Sequence, residues 1–246
     1  WQMVRQNLNT FPRDGVFGVT KNVDHVAALL RNREAIAKAR AFPYQLMVAA
    51  QNVNGDMPAA IVDALHDAME IAVQNVPKVA GQVVVCPDVS GSMTWAVTGY
   101  RPGATSAVRH VDVAALVAAS FQRVNRGCQV LPFDFDVRNV RLEPRDTILT
   151  NAERLADLAG GGTNCSAPLK WLNKRGRAPD LVVFVSDNQS WVDARNGGQG
   201  TAMLKEWETI KRRNPKAKLV CIDIAPYGTT QAQTREDVLN VGGFSD

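Results

Sequence analysis

The residues best suited to chemistry form an oxygen-rich set that follows short apolar segments. Asp88, Ser90 and Ser92 place one carboxylate and two hydroxyls at alternate positions, Thr163 follows three glycines, and Asp187 comes soon after another apolar segment. Such oxygens, with only two formal charges, suit a hard divalent cation that keeps some water and accepts an outside ligand. We therefore predict a divalent-metal site at these five residues, with Mg²⁺ favoured and Mn²⁺ or Ca²⁺ as alternatives.

Two other interpretations of the Asp88 run stay open. Serine and aspartate also cap helices after loops of this kind, and capping needs no metal. A Mg²⁺-dependent phosphohydrolase also has an aspartate after its first strand, but Ser90 stands where that chemistry needs a second acid. Because the sequence places no histidine as a general base, we expect a protein that is not an enzyme.

Two tryptophans follow predicted metal ligands closely. Trp95 lies three residues beyond Ser92, and Trp191 lies four residues beyond Asp187. They are candidates for an aromatic rim that holds a partner at the metal, and packing in the core is the alternative.

The elements that must position these residues follow from the apolar pattern after residue 80. Short β-branched segments alternate there with helical ones, which favours an α/β domain with a doubly wound, mostly parallel sheet. Ligands of such sheets bind beyond the carboxyl ends of the strands, where the strand order reverses. The predicted strands are 82–86, 129–133, 181–185 and 219–224, and the predicted helices are 111–124, 151–159 and 202–213.

The first 80 residues show helical spacing only. Segment 23–40 has apolar residues near helical periodicity, a second helix starts at Pro43, and a third follows Asp56 as a cap. We therefore predict two domains, a helical one over 1–80 and the α/β domain over 81–246.

Composition excludes several classes of protein. With 46% hydrophobic and 21% charged residues the chain is globular, and no apolar run is long enough for a membrane span. No signal peptide is visible, and a start at Trp1 suggests a piece of a longer protein. The four cysteines form no CxxC pair, which excludes a zinc knuckle and indicates reduced, buried thiols in a cytoplasmic protein.

Basic residues are unevenly distributed, within a net charge of +4. Residues 1–40 carry seven Lys or Arg against three acids, so nucleic-acid phosphates are one candidate partner and an ordinary solvated helix face is the other. The candidates for RNA contact are Arg5, Arg31, Arg33 and Arg40. A further local cluster consists of Lys170, Lys174, Arg175 and Arg177.

Longer motifs resemble a known family. The three pieces of the oxygen set, in this order at strand ends, resemble the metal-ion-dependent adhesion site of von Willebrand factor A domains. The sequence segments around them are similar to those of the Ro autoantigen family. These segments are Val-Cys-Pro-Asp-Val-Ser-Gly-Ser-Met, Gly-Gly-Gly-Thr-Asn-Cys-Ser and Phe-Val-Ser-Asp-Asn-Gln. Val-Arg-Gln-Asn-Leu-Asn-Thr-Phe near the start resembles the last helical repeats of the TROVE module.

The resemblance implies a function. Ro proteins bind small noncoding Y RNAs and misfolded RNA in RNA quality control, and bacterial, Rsr-type members are tethered by Y RNA to an exoribonuclease. Residues 1–80 would then end a TROVE helical ring, and residues 81–246 would be the von Willebrand A-type domain. An acidic protein ligand at the metal is a further implied partner, and a pure protein adhesion module is the alternative without RNA affinity.

Overall fold

A computed structural model describes residues 1–51, 53, 55–97, 108–187, 201–225, 232 and 234–243. These residues fall into two compact units, the first spanning Trp1–Pro77 and the second starting at Lys78. Among the described helices, none combines the length and the apolar character needed to cross a lipid bilayer.

The first unit is helical. The segment predicted as one helix over 23–40 is two helices, because the chain turns at Asn32, whose side chain caps the second helix by accepting a hydrogen bond from the Ala35 N–H (2.8 Å). Buried Ile61, Leu65 and Met69 line the last helix at helical spacing. The helices are α1 (Gln2–Gln6), α2 (Thr10–Arg13), α3 (Thr20–Leu30), α4 (Arg33–Lys38), α5 (Pro43–Gln51) and α6 (Ala59–Ala72).

The second unit is a parallel sheet with flanking helices, which confirms the predicted α/β class. Its strands are β1 (Val83–Pro87), β2 (Gln129–Val130), β3 (Leu181–Ser186), β4 (Lys218–Asp223) and β5 (Val238–Gly242). Its helices are α7 (His110–Val124), α8 (Ile148–Ala156), α9 (Ala167–Lys174) and α10 (Thr201–Arg213). The strand order is β2-β1-β3-β4-β5, and every described pair is parallel.

The strand order fixes where a ligand site can form. From β1 the chain first adds β2 on one side and then returns to place β3 on the other side of β1. The order therefore reverses between β1 and β3, which is where parallel sheets leave a crevice at the carboxyl ends of their strands. Asp88 follows β1 and Asp187 follows β3, so both acids lie at this crevice.

Both faces of the central strands β1 and β3 are buried, as their apolar sequences predict. Side chains alternate between the faces along a strand, and Val84, Cys86 and Phe184 share a core with α9 and α10. The Phe133 and Phe184 rings meet edge to face in this core at 5.6 Å. Helix α7 packs against β1 and β3.

In the second unit, the structure adds two elements to the prediction and shortens one. Strand β5 was not predicted, because the predicted series of strands ends with β4. Helix α9 was not predicted either, and only the basic residues in and after its segment drew attention. Strand β2 pairs over two residues, Gln129 and Val130, where a strand over 129–133 was expected.

A buried polar contact ties α10 to the start of β5. Trp207 is fully buried, and its indole N–H donates to Oδ2 of Asp237 (2.8 Å). The Arg235 guanidinium donates to both oxygens of the same carboxylate (3.0 and 2.9 Å). Burial by itself raises the pKa of Asp237, but the hydrogen bonds from Arg235 and Trp207 outweigh it and lower the pKa from 3.8 to about 2.

This contact makes stability depend on acid pH. Because the folded state holds the pKa of Asp237 below its unfolded value, the stabilisation is complete above about pH 4 and is lost as the pH falls towards 2. We expect Asp237→Asn to lower the free energy of unfolding by about 2 kcal/mol at pH 6 and to match the wild type near pH 2. Urea unfolding at a series of pH values measures this, and a constant difference between the two proteins across that range would contradict it.

Candidate functional site

The Asp88 loop turns tightly at the end of β1. Asp88 and Ser90 are fully buried, and the Ser90 N–H donates to Oδ1 of Asp88 (2.8 Å). A short 3-10 turn, Gly91–Thr94, follows and brings the Ser90 and Ser92 hydroxyls within 3.3 Å of each other. The carboxylate and the two hydroxyls predicted from the sequence thus form one compact oxygen group.

Strand β3 brings the second acid to the same end of the sheet. The Asp88 N–H continues the β1–β3 ladder by donating to the Val185 carbonyl (2.9 Å). The Ser186 hydroxyl then donates to Oδ2 of Asp88 (2.7 Å), and Asp187 is the next residue, 1% exposed. The two acids therefore stand on neighbouring strand ends, on the two sides of the crevice.

The glycine-rich loop is bonded to the Asp88 loop by its backbone. The Gly160 N–H donates to the Val89 carbonyl (2.8 Å), and the Gly91 N–H donates to the Gly161 carbonyl (2.9 Å). Gly161 has φ +79°, and a Cβ there would lie 2.8 Å from Oδ2 of Asp134, so only glycine fits. Two residues further on, Thr163 is buried. The two backbone hydrogen bonds therefore hold the glycine turn that precedes Thr163 against the Asp88 loop.

The acids at this end of the sheet carry an electrostatic cost. Burial raises the pKa of Asp88 to about 7; hydrogen bonds from Ser186 and Ser90 oppose this rise, and the charge of Asp187 adds to it. No described Lys or Arg makes an ion pair with Asp88. A bound cation would supply the positive charge that a buried carboxylate normally needs.

The donor set fits a hydroxyl-rich metal site rather than a carboxylate cluster. In the described parts of the chain, no group of three or more His, Cys, Asp or Glu side chains comes together as a metal site. Three of the five residues in the predicted set, Ser90, Ser92 and Thr163, instead offer hydroxyl oxygens. Hard oxygens of this kind suit Mg²⁺.

Sequence reasoning missed two residues at the site. Ser186 holds the Asp88 carboxylate, and its only sequence signal is its place between an apolar strand and Asp187. His110 is 5% exposed at the start of α7, and nothing in the sequence around it distinguishes it from the other histidines. Burial lowers the pKa of His110, although Asp187 and the Ser92 backbone oppose this, and its Nδ1 has no hydrogen-bond partner among the described residues.

Exposed aromatic side chains stand beside these loops. Trp95 follows the 3-10 turn and is 51% exposed, as the rim hypothesis requires, whereas Trp191 lies outside the described residues. Phe135, which no sequence pattern marks, is 60% exposed and has its ring directly over Gly162. A Cβ at Gly162 would collide with that ring, so glycine leaves room for the ring in this position.

The four arginines proposed for RNA contact lie in the first unit in different environments. Arg33 and Arg40 are exposed, and Arg40 has a left-handed backbone, φ +49°. The Arg31 guanidinium makes an ion pair with Asp67 (2.6 Å), and the Arg5 guanidinium donates to the Gln45 carbonyl (3.2 Å). Arg33 and Arg40 are therefore better placed to meet a phosphate than Arg31.

Comparison with known proteins points in one direction. A family model described as the Ro60 vWA domain matches residues 82–246. The chain is 27% identical over 251 residues to "RNA-binding protein RO60" of Deinococcus radiodurans, covering 97% of this chain and 46% of that protein. It is 25% identical over 239 residues to "RNA-binding protein RO60" of Caenorhabditis elegans, covering 91% of this chain and 35% of that protein.

A solved structure agrees in fold. The crystal structure of the Deinococcus radiodurans RO (RSR) protein superposes with a TM-score of 0.76 at 22% identity, over 100% of this chain and 50% of that chain. The chain spans about half the length of the Deinococcus relative, and about a third of the worm protein.

Trp95 is half exposed and Trp207 is fully buried, so replacing each by alanine should change the stability by different amounts. We expect Trp95→Ala to change the free energy of unfolding by less than about 0.5 kcal/mol, because the side chain is half exposed. Trp207→Ala, the matched control in the core, should cost about 3–5 kcal/mol. Thermal and urea unfolding measure both changes in stability. A large loss of stability in Trp95→Ala would show that Trp95 packs in the core and would contradict its place in the aromatic rim.

Proposed function

The chain belongs to the Ro60 family, whose vWA domain it contains, and from this premise we propose that it is a non-catalytic RNA-binding protein of the Ro type. The observation that carries the proposal is the family match over residues 82–246, joined to relatives named for RNA binding that align with more than nine tenths of this chain. Residues 1–80 are proposed as the end of a TROVE helical module and 81–246 as the von Willebrand A-type domain.

The proposed RNA partners are those of the family. They are small noncoding Y RNA and misfolded RNA, with an exoribonuclease as an indirect partner through RNA. The exposed guanidinium groups of Arg33 and Arg40 support contact with phosphates from the helical unit. All four cysteines are buried free thiols, which supports a cytoplasmic location, where thiols stay reduced.

We propose that the second unit also holds a divalent cation, with Mg²⁺ favoured. Ser90, Ser92 and Thr163 would supply hydroxyl oxygens, and Asp88 and Asp187 would supply the compensating charge. When bound, the ion would act as an electrophile that accepts one oxygen from an outside ligand. Within the chain, Ser186 orients the Asp88 carboxylate, and the bonded glycine loop fixes the position of Thr163.

An acidic side chain of a partner protein is the proposed outside ligand. Two carboxylates would at most neutralise a dication, so the loaded site would carry no net negative charge to repel a third carboxylate, and the ion would remain a Lewis acid able to accept its oxygen. Exposed Trp95 and Phe135 supply apolar surface beside the oxygen group, which supports a protein partner. The phosphohydrolase alternative shares the Asp88 loop but needs a second acid where Ser90 stands. Turnover of a generic phosphate ester that is lost in Asp88→Asn would favour that alternative.

Removing one acid of the set should abolish metal binding. We expect Asp187→Asn to eliminate saturable Mg²⁺ or Mn²⁺ binding in calorimetry, because the amide brings no charge to offset the cation. The fold should persist, since the amide has nearly the shape of the carboxylate.

The control for this variant is Asp136→Asn. Asp136 is an exposed acid on a loop beside the glycine turn, outside the proposed set, so its replacement should leave the stoichiometry unchanged. Binding by Asp187→Asn at wild-type stoichiometry and affinity would move the metal to another site.

Replacing the exposed arginines of the helical unit should weaken RNA binding. We expect Arg33→Gln and Arg40→Asn each to lower the slope of log Kd against log salt by about 1, because each removes one phosphate contact. Asparagine is chosen at Arg40 because it tolerates the left-handed backbone. Lys21→Gln, an exposed basic residue on α3, is the control. Filter binding of a folded small RNA over a salt series measures the slopes, and equal slopes in all four proteins would contradict the assignment.

A further inference from the structure

A basic face lies at the β2 edge of the sheet, away from the residues of the proposed metal set. A cavity of about 690 Å³ opens there, between the end of α7, the loop after β2 and the end of α9. The lining side chains with polar or aromatic groups include Gln122, Gln129, Arg138, Arg141, Trp171 and Arg175. We call this surface, together with the second cavity described next, the β2-edge face.

The second cavity continues the face past Gln129. It measures about 470 Å³, shares Gln129 with the first cavity, and adds the guanidinium groups of Arg126 and Arg177. The two cavities therefore place basic groups along β2 and near the end of α9.

The charge of the β2-edge face has one sign. Among the described residues that line the two cavities there is no Asp or Glu. Nearby acids engage part of the charge, since Arg138 pairs with Asp134 (3.0 Å) and Arg141 with Glu143 (2.9 Å). Arg175 makes no ion pair with a described residue. The face therefore favours an anionic ligand.

The Arg175 guanidinium lies over the Trp171 indole. Its central carbon lies 3.8 Å from the centre of the Trp171 ring, and the guanidinium also donates to the Trp171 carbonyl (3.4 Å). A cation over an indole face is stabilised by the ring electrons. The indole thus covers one side of the guanidinium, and because the Arg175 side chain is exposed, a second planar group such as a nucleobase can reach it.

We propose that the β2-edge face binds single-stranded RNA. A base stacks on the outer face of Arg175, and neighbouring phosphates meet Arg141, Arg138 and the arginines of the second cavity. The amides of Gln122 and Gln129 offer donors and acceptors to base edges. The inference rests on the proposed RNA-binding function and adds to it a second RNA contact, on the von Willebrand A-type domain.

The chemistry of the face favours RNA over an acidic protein segment. An acidic peptide requires positive charge alone, whereas the Trp171–Arg175 pair presents a fixed planar surface of the kind that stacks on bases. The face is also a cleft, which admits single strands more readily than a duplex.

The test uses the whole chain and a fluorescein-labelled, unstructured oligoribonucleotide in anisotropy titrations. We expect Arg175→Ala to raise Kd by at least about fivefold, since loss of one stacking partner has this effect or more. Arg175→Lys should also lose affinity but keep the salt slope, because it retains charge without the planar group. Arg141→Ala should lower the slope by about 1. Arg138 is left unchanged because its replacement would remove the ion-pair partner of the buried Asp134.

Arg212→Ala is the matched control, an exposed arginine of α10 that lines neither cavity. Wild-type affinity in Arg175→Ala and Arg141→Ala would overturn the inference. So would binding of a polyglutamate peptide in place of the oligoribonucleotide. If the wild type bound a folded small RNA but not the single strand, the inference would fail and the proposed function would stand. Binding of neither RNA would overturn both.

Discussion

Burial of the Asp88 carboxylate at the end of β1 is the constraint on which the arrangement of the second unit depends. A carboxylate away from water must be hydrogen-bonded and balanced by charge. The hydrogen bonds come from the Ser90 N–H and the Ser186 hydroxyl, which join the Asp88 loop to β3. The glycine loop closes over the same turn through two backbone bonds. The hydrogen bonds to the Asp88 carboxylate therefore hold the two sides of the crevice together. A bound cation would balance the negative charge that remains on this carboxylate.

The oxygen set was visible in the sequence because its chemistry is local. Asp88, Ser90 and Ser92 lie in one loop. The segments before Asp88 and before Asp187 are continuously apolar, which is typical of central strands buried on both faces. Those segments also predicted the parallel sheet. In contrast, β5 is an edge strand with Val238 buried and Leu239 exposed, so it has no continuous apolar run to mark it.

Other features depend on contacts that no local pattern encodes. His110 resembles the other histidines in the sequence, and only the packing of α7 beside the Asp88 loop buries it. Arg31 belongs to a basic segment, yet Asp67, 36 residues away, engages its charge. The basic cluster around Arg175 is evident in the sequence. The Trp171 indole lies four residues earlier, and it meets the Arg175 guanidinium only because α9 places the two side chains one helical turn apart.

The parallel order of the sheet also governs how the domain reaches its native state. Asp88 and Ser186 are 98 residues apart in the chain, and they meet only after β1 and β3 have paired. Contacts of such high sequence separation slow folding, because loop closure must precede any stabilisation. The crevice therefore cannot form before β1 and β3 have paired, and in a nascent chain the oxygen group stays incomplete until β3 has been synthesised. A ligand that binds there stabilises finished domains alone.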